Sequence, residues 1–216
     1  MLHQEIQNSL KVLNEGGLIL YPTDTVWGIG CDATNSEAIA KVYKIKKRIE
    51  SKALISLVCN KTQLQNITNS IPDFDITTKP TTIIYPNITG LDTSLLEVDG
   101  SAAIRIVTDG FCKELIQKFG KPIVSTSANI SGEKHPKQFS EITDKIKNNV
   151  DYIVTLRQNE LMSTSSTILC EPPRMRTVTE RGFLHPSMNT HLSDSTFFCC
   201  TISAEPKSFA EISSRF

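Results

Sequence analysis

The chain has 216 residues, enough for one large domain with a substantial core and no need of staples. Its 23 Lys and Arg balance 23 Asp and Glu, so no global field draws it to nucleic acid or membrane, and any anion site must be built locally. Scattered cysteines without a C-x-x-C pair, no basic-then-apolar leader, and no apolar run near the roughly 18 residues of a spanning helix predict a cytoplasmic protein with no membrane partner.

Leu2, Ile6, Leu10 and Leu13 recur at helical spacing ahead of Gly16 and Gly17, which predicts a packing helix over 2–15. Leu18, Ile19, Leu20 and Tyr21 then form the short apolar run of an interior strand, halted by Pro22. Thr23, Asp24 and Thr25 follow where such a strand ends. Small polar ligands bind at such ends, and capped turns also occur there. Gly28 and Gly30 permit either an unusual backbone or a close approach to it.

Thr34 and Glu37 have the spacing of a capping box, and Ala38, Ile39, Val42 and Ile45 give a helix over about 35–46 its apolar face. Lys44, Lys46, Lys47 and Arg48 gather at its C-terminal end. They suit a solvated, dipole-matched helix end; equally, they suit an anion clamp with Arg48 as a planar fork, Lys46 as a point charge and Lys52 as an extension.

Strands are predicted over 54–59, 81–85 and 101–107, with a short helix over 62–69. Arg105 interrupts the last of these strands, and a charge inside an apolar run must meet the sheet edge or a fixed anion. A structural ion pair and a ligand contact both answer that need. A helix over 110–119 leads into a strand over 123–126, which runs straight into Ser127-Ala128-Asn129-Ile130-Ser131-Gly132. Ser125, Ser127 and Asn129 alternate and can face one way, offering hydroxyl and amide groups to a phosphate or sugar, or forming Ser and Asx turns. No histidine and acid stand where they would make either serine a triad nucleophile.

Residues 138–148 read as helix, and 151–155, 166–170 and 174–179 as strands. Strands and helices interleave with too few helices for a regular doubly wound fold, so an α/β mixed sheet flanked by helices is expected. Two polar strand ends imply one shared pocket. The domain should span 1–184, with 185–216, rich in Ser, Thr, Asn and Pro, as a C-terminal tail. His3, His135, His185 and His191 show no ligand spacing with the cysteines, and no protein-ligated metal is expected.

Together these stretches resemble the YrdC-like family of L-threonylcarbamoyladenylate synthases over about 16–182. YPTDTVWGIGCDA is similar to the family's opening strand and loop, Lys46-Lys47-Arg48 to its K-x-R signature, and Ser127-Ala128-Asn129 to its S-x-N signature. Ser166-Thr167-Ile168 looks like its late S-T-I strand and Arg181-Gly182 like its closing arginine turn. Ile49, Ala53 and Thr77 to Thr82 depart from the family's proline-containing loops and leave the charged positions intact.

The resemblance implies a single YrdC-like α/β domain, a strongly twisted sheet of parallel and antiparallel strands with a concave, positively charged face. It implies synthesis of L-threonylcarbamoyl-AMP and pyrophosphate from L-threonine, bicarbonate and ATP by a nucleotidyltransferase, with Mg2+ accompanying ATP. The product would serve N6-threonylcarbamoyladenosine modification at position 37 of tRNAs through a downstream tRNA threonylcarbamoyltransferase, and tRNA or double-stranded RNA could itself be bound.

Carried onto this sequence, Lys46, Arg48, Ser127 and Asn129 are the catalytic polar tetrad, while Thr25, Arg105, Ser125 and Ser166 bind L-threonine. Arg48, Lys52, Ser101, Ser127, His135 and Arg181 would contact ATP. The rival expectations are a non-catalytic RNA-binding module of the same fold and a carbamoyl-adenylate-forming enzyme with another substrate.

Overall fold

The computed structural model describes residues 1–47, 54–72, 76, 78–164, 166–169 and, for the backbone alone, 175–177. The expectations for Arg48, Lys52, Arg181 and the 185–216 tail lie outside the described residues.

The apolar N-terminal stretch forms helix α1 (Leu2–Asn14), whose Ile6 and Leu13 are fully buried. Strand β1 (Ile19–Pro22) is buried on both faces: Leu18 and Leu20 turn towards one core, Ile19 and Tyr21 towards another. Only four extended residues were needed for that, which is why the apolar run is continuous rather than alternating.

The stretch after the polar turn is a strand that the sequence pattern hides. β2 (Trp27–Asp32) folds back on β1 as an antiparallel partner, with Tyr21 opposite Gly28 and Ile19 opposite Gly30. Trp27, Ile29 and Cys31 fill one face, and the two glycines lie on the other. Neither glycine has a positive φ; their role is close approach. A Cβ on Gly30 would stand 2.6 Å from Cε1 of Tyr21 and 2.9 Å from the Val124 carbonyl oxygen. Gly30→Ala should therefore lose about 2 kcal/mol of stability in urea unfolding, and an unchanged midpoint would show that the Tyr21 ring yields freely.

Helix α2 (Ser36–Lys46) starts one residue later than the Thr34–Glu37 box implies. Asn35 is the N-cap, its Oδ1 accepting from Ala38 N at 3.0 Å. Thr34 is engaged elsewhere, with N and Oγ1 both donating to Asp32 Oδ1 at 2.8 and 2.7 Å. Asparagine is as good an N-cap as threonine, and the apolar register decided between them. The helix ends on Lys47 in the left-handed region, φ 48°.

β3 (Ile55–Val58) and the short helix α3 (Lys61–Gln65) follow, then β4 (Ser70–Pro72), which the sequence pattern does not reveal. β5 (Thr81–Tyr85), β6 (Ala102–Ile106), α4 (Gly110–Phe119) and β7 (Ile123–Ser127) form within a residue or so of their predicted bounds.

The helix predicted over 138–148 is broken. A 3-10 turn (Phe139–Glu141) and the single-turn α5 (Asp144–Lys147) flank Ile142 and Thr143, whose ψ values of 125° and 146° are extended. Phe139, Ile142 and Ile146 all reach the core and so imitate a helical period, but the β-branched pair between them favours extended backbone. β8 (Tyr152–Ile153), β9 (Thr167–Leu169) and β10 (Met175–Thr177) are the last elements among the described residues.

Among the described residues, eight strands form one mixed sheet in the order β8-β1-β2-β7-β3-β6-β5-β9, and β10 pairs with β4 separately. β1 with β8, β3 with β6 and β5 with β9 are parallel; the other pairs are antiparallel. α2 covers one face, and α1 with α4 covers the other. Glu5 of α1 is buried and accepts from the Tyr152 hydroxyl at 2.8 Å and from both N and Oγ1 of Thr155, tying the helix to the far edge of the sheet.

Candidate active site

The two polar strand ends meet, as expected, because β2 sits between β1 and β7. Gly28 lies opposite both Tyr21 and Ser127, and a Cβ on it would come within 3.1 Å of Ser125 Oγ. Ile123, Ser125 and Ser127 follow the two-residue alternation of β7, so both serines leave the sheet on the face that α4 covers further back.

Lys46, the last residue of α2, is the surprise at the first end. Its side chain is not solvated at the helix terminus but 2% exposed. Nζ donates to the Ser127 carbonyl oxygen at 2.6 Å and to Asn129 Oδ1 at 3.1 Å, with Ser127 Oγ at 3.4 Å. Ser127 Oγ also donates to Asn129 Oδ1 at 2.5 Å, and Asn129 Nδ2 donates to the carbonyls of Ile130 and Glu133 at 3.1 and 2.6 Å.

Both donors and both lone pairs of the Asn129 amide are thus used within the protein, and it fixes the turn rather than reaching outward. The turn closes on the helix again through Ser131 N, which donates to the Lys46 carbonyl at 3.0 Å. Lys46, Ser127 and Asn129 are therefore one unit, formed by residues that the sequence separates widely.

The second end is built on Thr23, Asp24 and Thr25. Thr23 Oγ1 donates to the Val26 carbonyl at 2.8 Å and accepts from Thr25 N at 3.0 Å. Since its one proton is committed, the 2.9 Å contact between the two hydroxyls is a donation from Thr25. Arg157, itself at φ 57°, holds the loop from outside, donating to the Thr23 carbonyl at 3.0 Å and pairing with Asp109 at 2.9 Å.

Arg105 of β6 meets the fixed anion that its place in an apolar strand demanded. Its Nη2 stands 3.0 Å from Asp24 Oδ1, the two side chains being 4% and 7% exposed. Among the described residues no well-directed hydrogen bond reaches either Asp24 oxygen or Arg105 Nε, and the buried Tyr21 hydroxyl interacts with Ser125 short of hydrogen-bond geometry. Burial raises the Asp24 carboxyl above the usual range. Arg105 offsets this in part, Asp109 adds to it, and the backbone N–H groups of Asp24 and Thr108 lean on it short of hydrogen-bond geometry.

Ser125 is buried and Ser166 half-buried. Ser166 reaches this end through Thr82, the neighbour of Arg105 in β5, whose Oγ1 donates to Ser166 Oγ at 3.2 Å. Thr25, Arg105, Ser125 and Ser166 are thus gathered about one side of the sheet.

Ser101 and His135 are not drawn in to the same degree. Ser101 precedes β6 at its opposite end, about 13 Å along the strand from Arg105, with its N–H on Asp99 Oδ1 at 2.9 Å. His135 is exposed beyond the turn that Asn129 fixes. A cleft among Lys41, Lys44, Lys47 and Lys145 opens beside Leu18, at the far end of β1, and shares no side chain with this site.

Sequence reasoning named Arg105 without its partner. Asp24 was visible as an acid at the end of the lead strand, and the demand of a buried arginine for an anion was the signal that could have joined them. Arg157 gave no comparable signal.

A family profile named for Sua5, YciO and YrdC and described as "Telomere recombination" matches residues 11–181. A threonylcarbamoyl-AMP synthase of Blochmanniella pennsylvanica is 35% identical over 149 residues, covering 65% of this chain and 77% of its own. A protein of the same name from Coxiella burnetii is 31% identical over 157 residues, covering 70% and 84%. The structure of P. abyssi Sua5 complexed with L-threonine superposes with a TM-score of 0.67 at 24% identity, covering 78% of this chain. This chain spans about half of that protein, 52% of its length.

Proposed function

The chain belongs to the Sua5/YciO/YrdC family, and from that membership we propose that it makes L-threonylcarbamoyl-AMP and pyrophosphate from L-threonine, bicarbonate and ATP. The observation that carries this is the buried ammonium of Lys46, fixed by Ser127 and Asn129 beside a second polar strand end that holds Arg105.

The chemistry asks for such a site. Bicarbonate, the threonine carboxylate and the triphosphate are all anionic, so fixed cations must offset their repulsion before reaction and the charge growing at the α-phosphate during it. The amine of threonine attacks the bicarbonate carbon and water leaves, giving a carbamate. A carbamate oxygen then attacks the α-phosphorus of ATP and pyrophosphate departs. Arg105 receives the amino-acid carboxylate, with Thr25, Ser125 and Ser166 around it, while Lys46 supplies fixed charge near the phosphates and holds the turn bearing Ser127. Arg48, Lys52, Ser101, His135 and Arg181 are assigned to ATP on the family resemblance, and Asn129 acts by positioning Ser127 and Lys46.

Among the described residues no three of His, Cys, Asp and Glu gather as a cation cage. Magnesium is assigned to the phosphates of ATP, which commonly hold it with water and few protein groups. The adenylyl-transferring step makes the protein a nucleotidyltransferase, and its product is assigned to a tRNA threonylcarbamoyltransferase for position 37 of tRNA. Buried free Cys31, Cys59 and Cys112 support a cytoplasmic setting. Among the described residues, no helix is long and apolar enough to cross a membrane.

Pyrophosphate release from ATP should require both L-threonine and bicarbonate, and omission of either should return it to background. Release indifferent to threonine would overturn the substrate assignment. Competition of RNA with ATP, without any turnover, would favour a binding module instead.

A further inference from the structure

The geometry points to Asp24 as the residue that receives the α-ammonium group of the amino-acid substrate, so that Asp24 and Arg105 together read a zwitterion. This rests on the threonine assignment above and extends it to a residue with no role in it so far.

A buried ion pair that serves only the fold is expected to have its hydrogen bonds completed, because unsatisfied polar atoms withdrawn from water are costly. This pair is not completed. Among the described residues, both oxygens of Asp24 and Nε of Arg105 are buried without a directed hydrogen-bond partner, and the Tyr21 hydroxyl beside them has only a poorly directed contact with Ser125. The incomplete atoms belong to a guanidinium and a carboxylate whose closest contact, Nη2 to Oδ1, is 3.0 Å.

An α-amino acid carries its own opposite charges at about the same separation, so its carboxylate on Arg105 brings its ammonium to Asp24. Four charges then alternate in sign with no net charge added to a buried site, which a lone anion could not achieve. A hydroxy acid would leave Asp24 facing a neutral hydroxyl.

The neighbouring groups do not offer a substitute. Asp109 already has Arg157 at 2.9 Å on one oxygen and caps α4 with the other, accepting from Cys112 N at 3.0 Å. Cys112 is fully buried and its thiol is pushed up by burial, with Asp109 and Asp24 adding to the effect, so it stays neutral. Tyr21 is held neutral by burial in the same way. Among the described residues at this end, Asp24 is the carboxylate whose one close partner is Arg105, at Oδ1, and whose Oδ2 carries no directed hydrogen bond.

The test is calorimetric binding of L-threonine and of its hydroxy-acid analogue of the same configuration, in which a hydroxyl replaces the ammonium. The wild-type protein should prefer threonine by on the order of a hundredfold. Asp24→Asn, nearly isosteric, should weaken threonine binding by a similar factor and leave the analogue within about threefold, so the preference falls below about tenfold. ATP affinity should not change.

A wild-type protein that binds threonine and the analogue equally overturns the assignment, as does Asp24→Asn with its preference intact. If Asp24→Asn does not fold, the wild-type comparison decides alone. A wild-type protein that binds ATP and neither acid defeats the threonine reading, and this assignment with it; threonine binding without preference defeats this assignment only.

Discussion

Lys46→Met should reduce the rate of threonine-dependent pyrophosphate release on the order of a thousandfold, an effect seen in kcat rather than in the KM for threonine. The side chain is almost wholly buried, and methionine fills nearly the same volume, so packing survives the exchange. What disappears is a positive charge fixed beside Ser127, together with the donor that the Ser127 carbonyl and Asn129 Oδ1 share. Losing those hydrogen bonds should cost about 1–2 kcal/mol of stability, a small penalty next to the kinetic one. Steady-state kinetics with urea unfolding on the same sample separates the two. A variant that loses the stability but keeps half the wild-type turnover would reduce Lys46 to a strut for the 127–131 turn.

Arg105→Met should be the most damaging single change to the fold, by about 3–5 kcal/mol, because it leaves the Asp24 carboxylate buried and unpaired. Both partners are under 10% exposed, so solvent screening does little to soften the loss. The pH dependence identifies the cause. Asp24 already has a raised folded pKa, and removal of the guanidinium, the main influence lowering it, raises it further. A carboxyl raised on folding contributes stability while protonated and loses it as pH climbs through its folded value. The variant should therefore recover stability relative to wild type as pH falls from about 7 towards 5, and Asp24→Asn in the same chain should recover part of it at neutral pH. Unfolding midpoints at both pH values that track wild type throughout would show that this pair carries no such energy.

Local physics made much of this legible in the sequence. β1 announced itself because four adjacent buried residues leave no polar face, and α4 because Asp109 caps it through Cys112 N while Gly120, at φ 76°, ends it. β2 did not, because Gly28 and Gly30 remove one face of the alternation that identifies a strand; Gly30 does so for the Tyr21 ring of β1, and Gly28 for Ser125 of β7. The break at Ile142 and Thr143 was masked by apolar spacing that suits a helix as well as a turn.

At the site, residue types were readable and engagements were not. Lys46 at a helix C-terminus looked ready for solvent or phosphate, and its burial followed only from the arrival of β7. Asn129 read as a ligand group, yet its amide is spent on its own turn. Asp24 lies in the turn between β1 and β2, neither of which neighbours the β6 of Arg105 in the sheet, and no local pattern encodes such a meeting.

The strand order has a kinetic consequence. β2 pairs with β7 and β7 with β3, so each polar strand end becomes part of a site only after segments far apart in the chain have found one another. Closing such long loops is slow, since their entropy must be given up before the contacts return anything. A nascent chain halted before Ile123 holds α2 and the Thr23 to Thr25 turn but lacks Ser127 and Asn129 altogether. The unit of Lys46, Ser127 and Asn129 therefore arrives whole and late, once β7 has been made, and shorter partial folds leave the Lys46 ammonium without these partners.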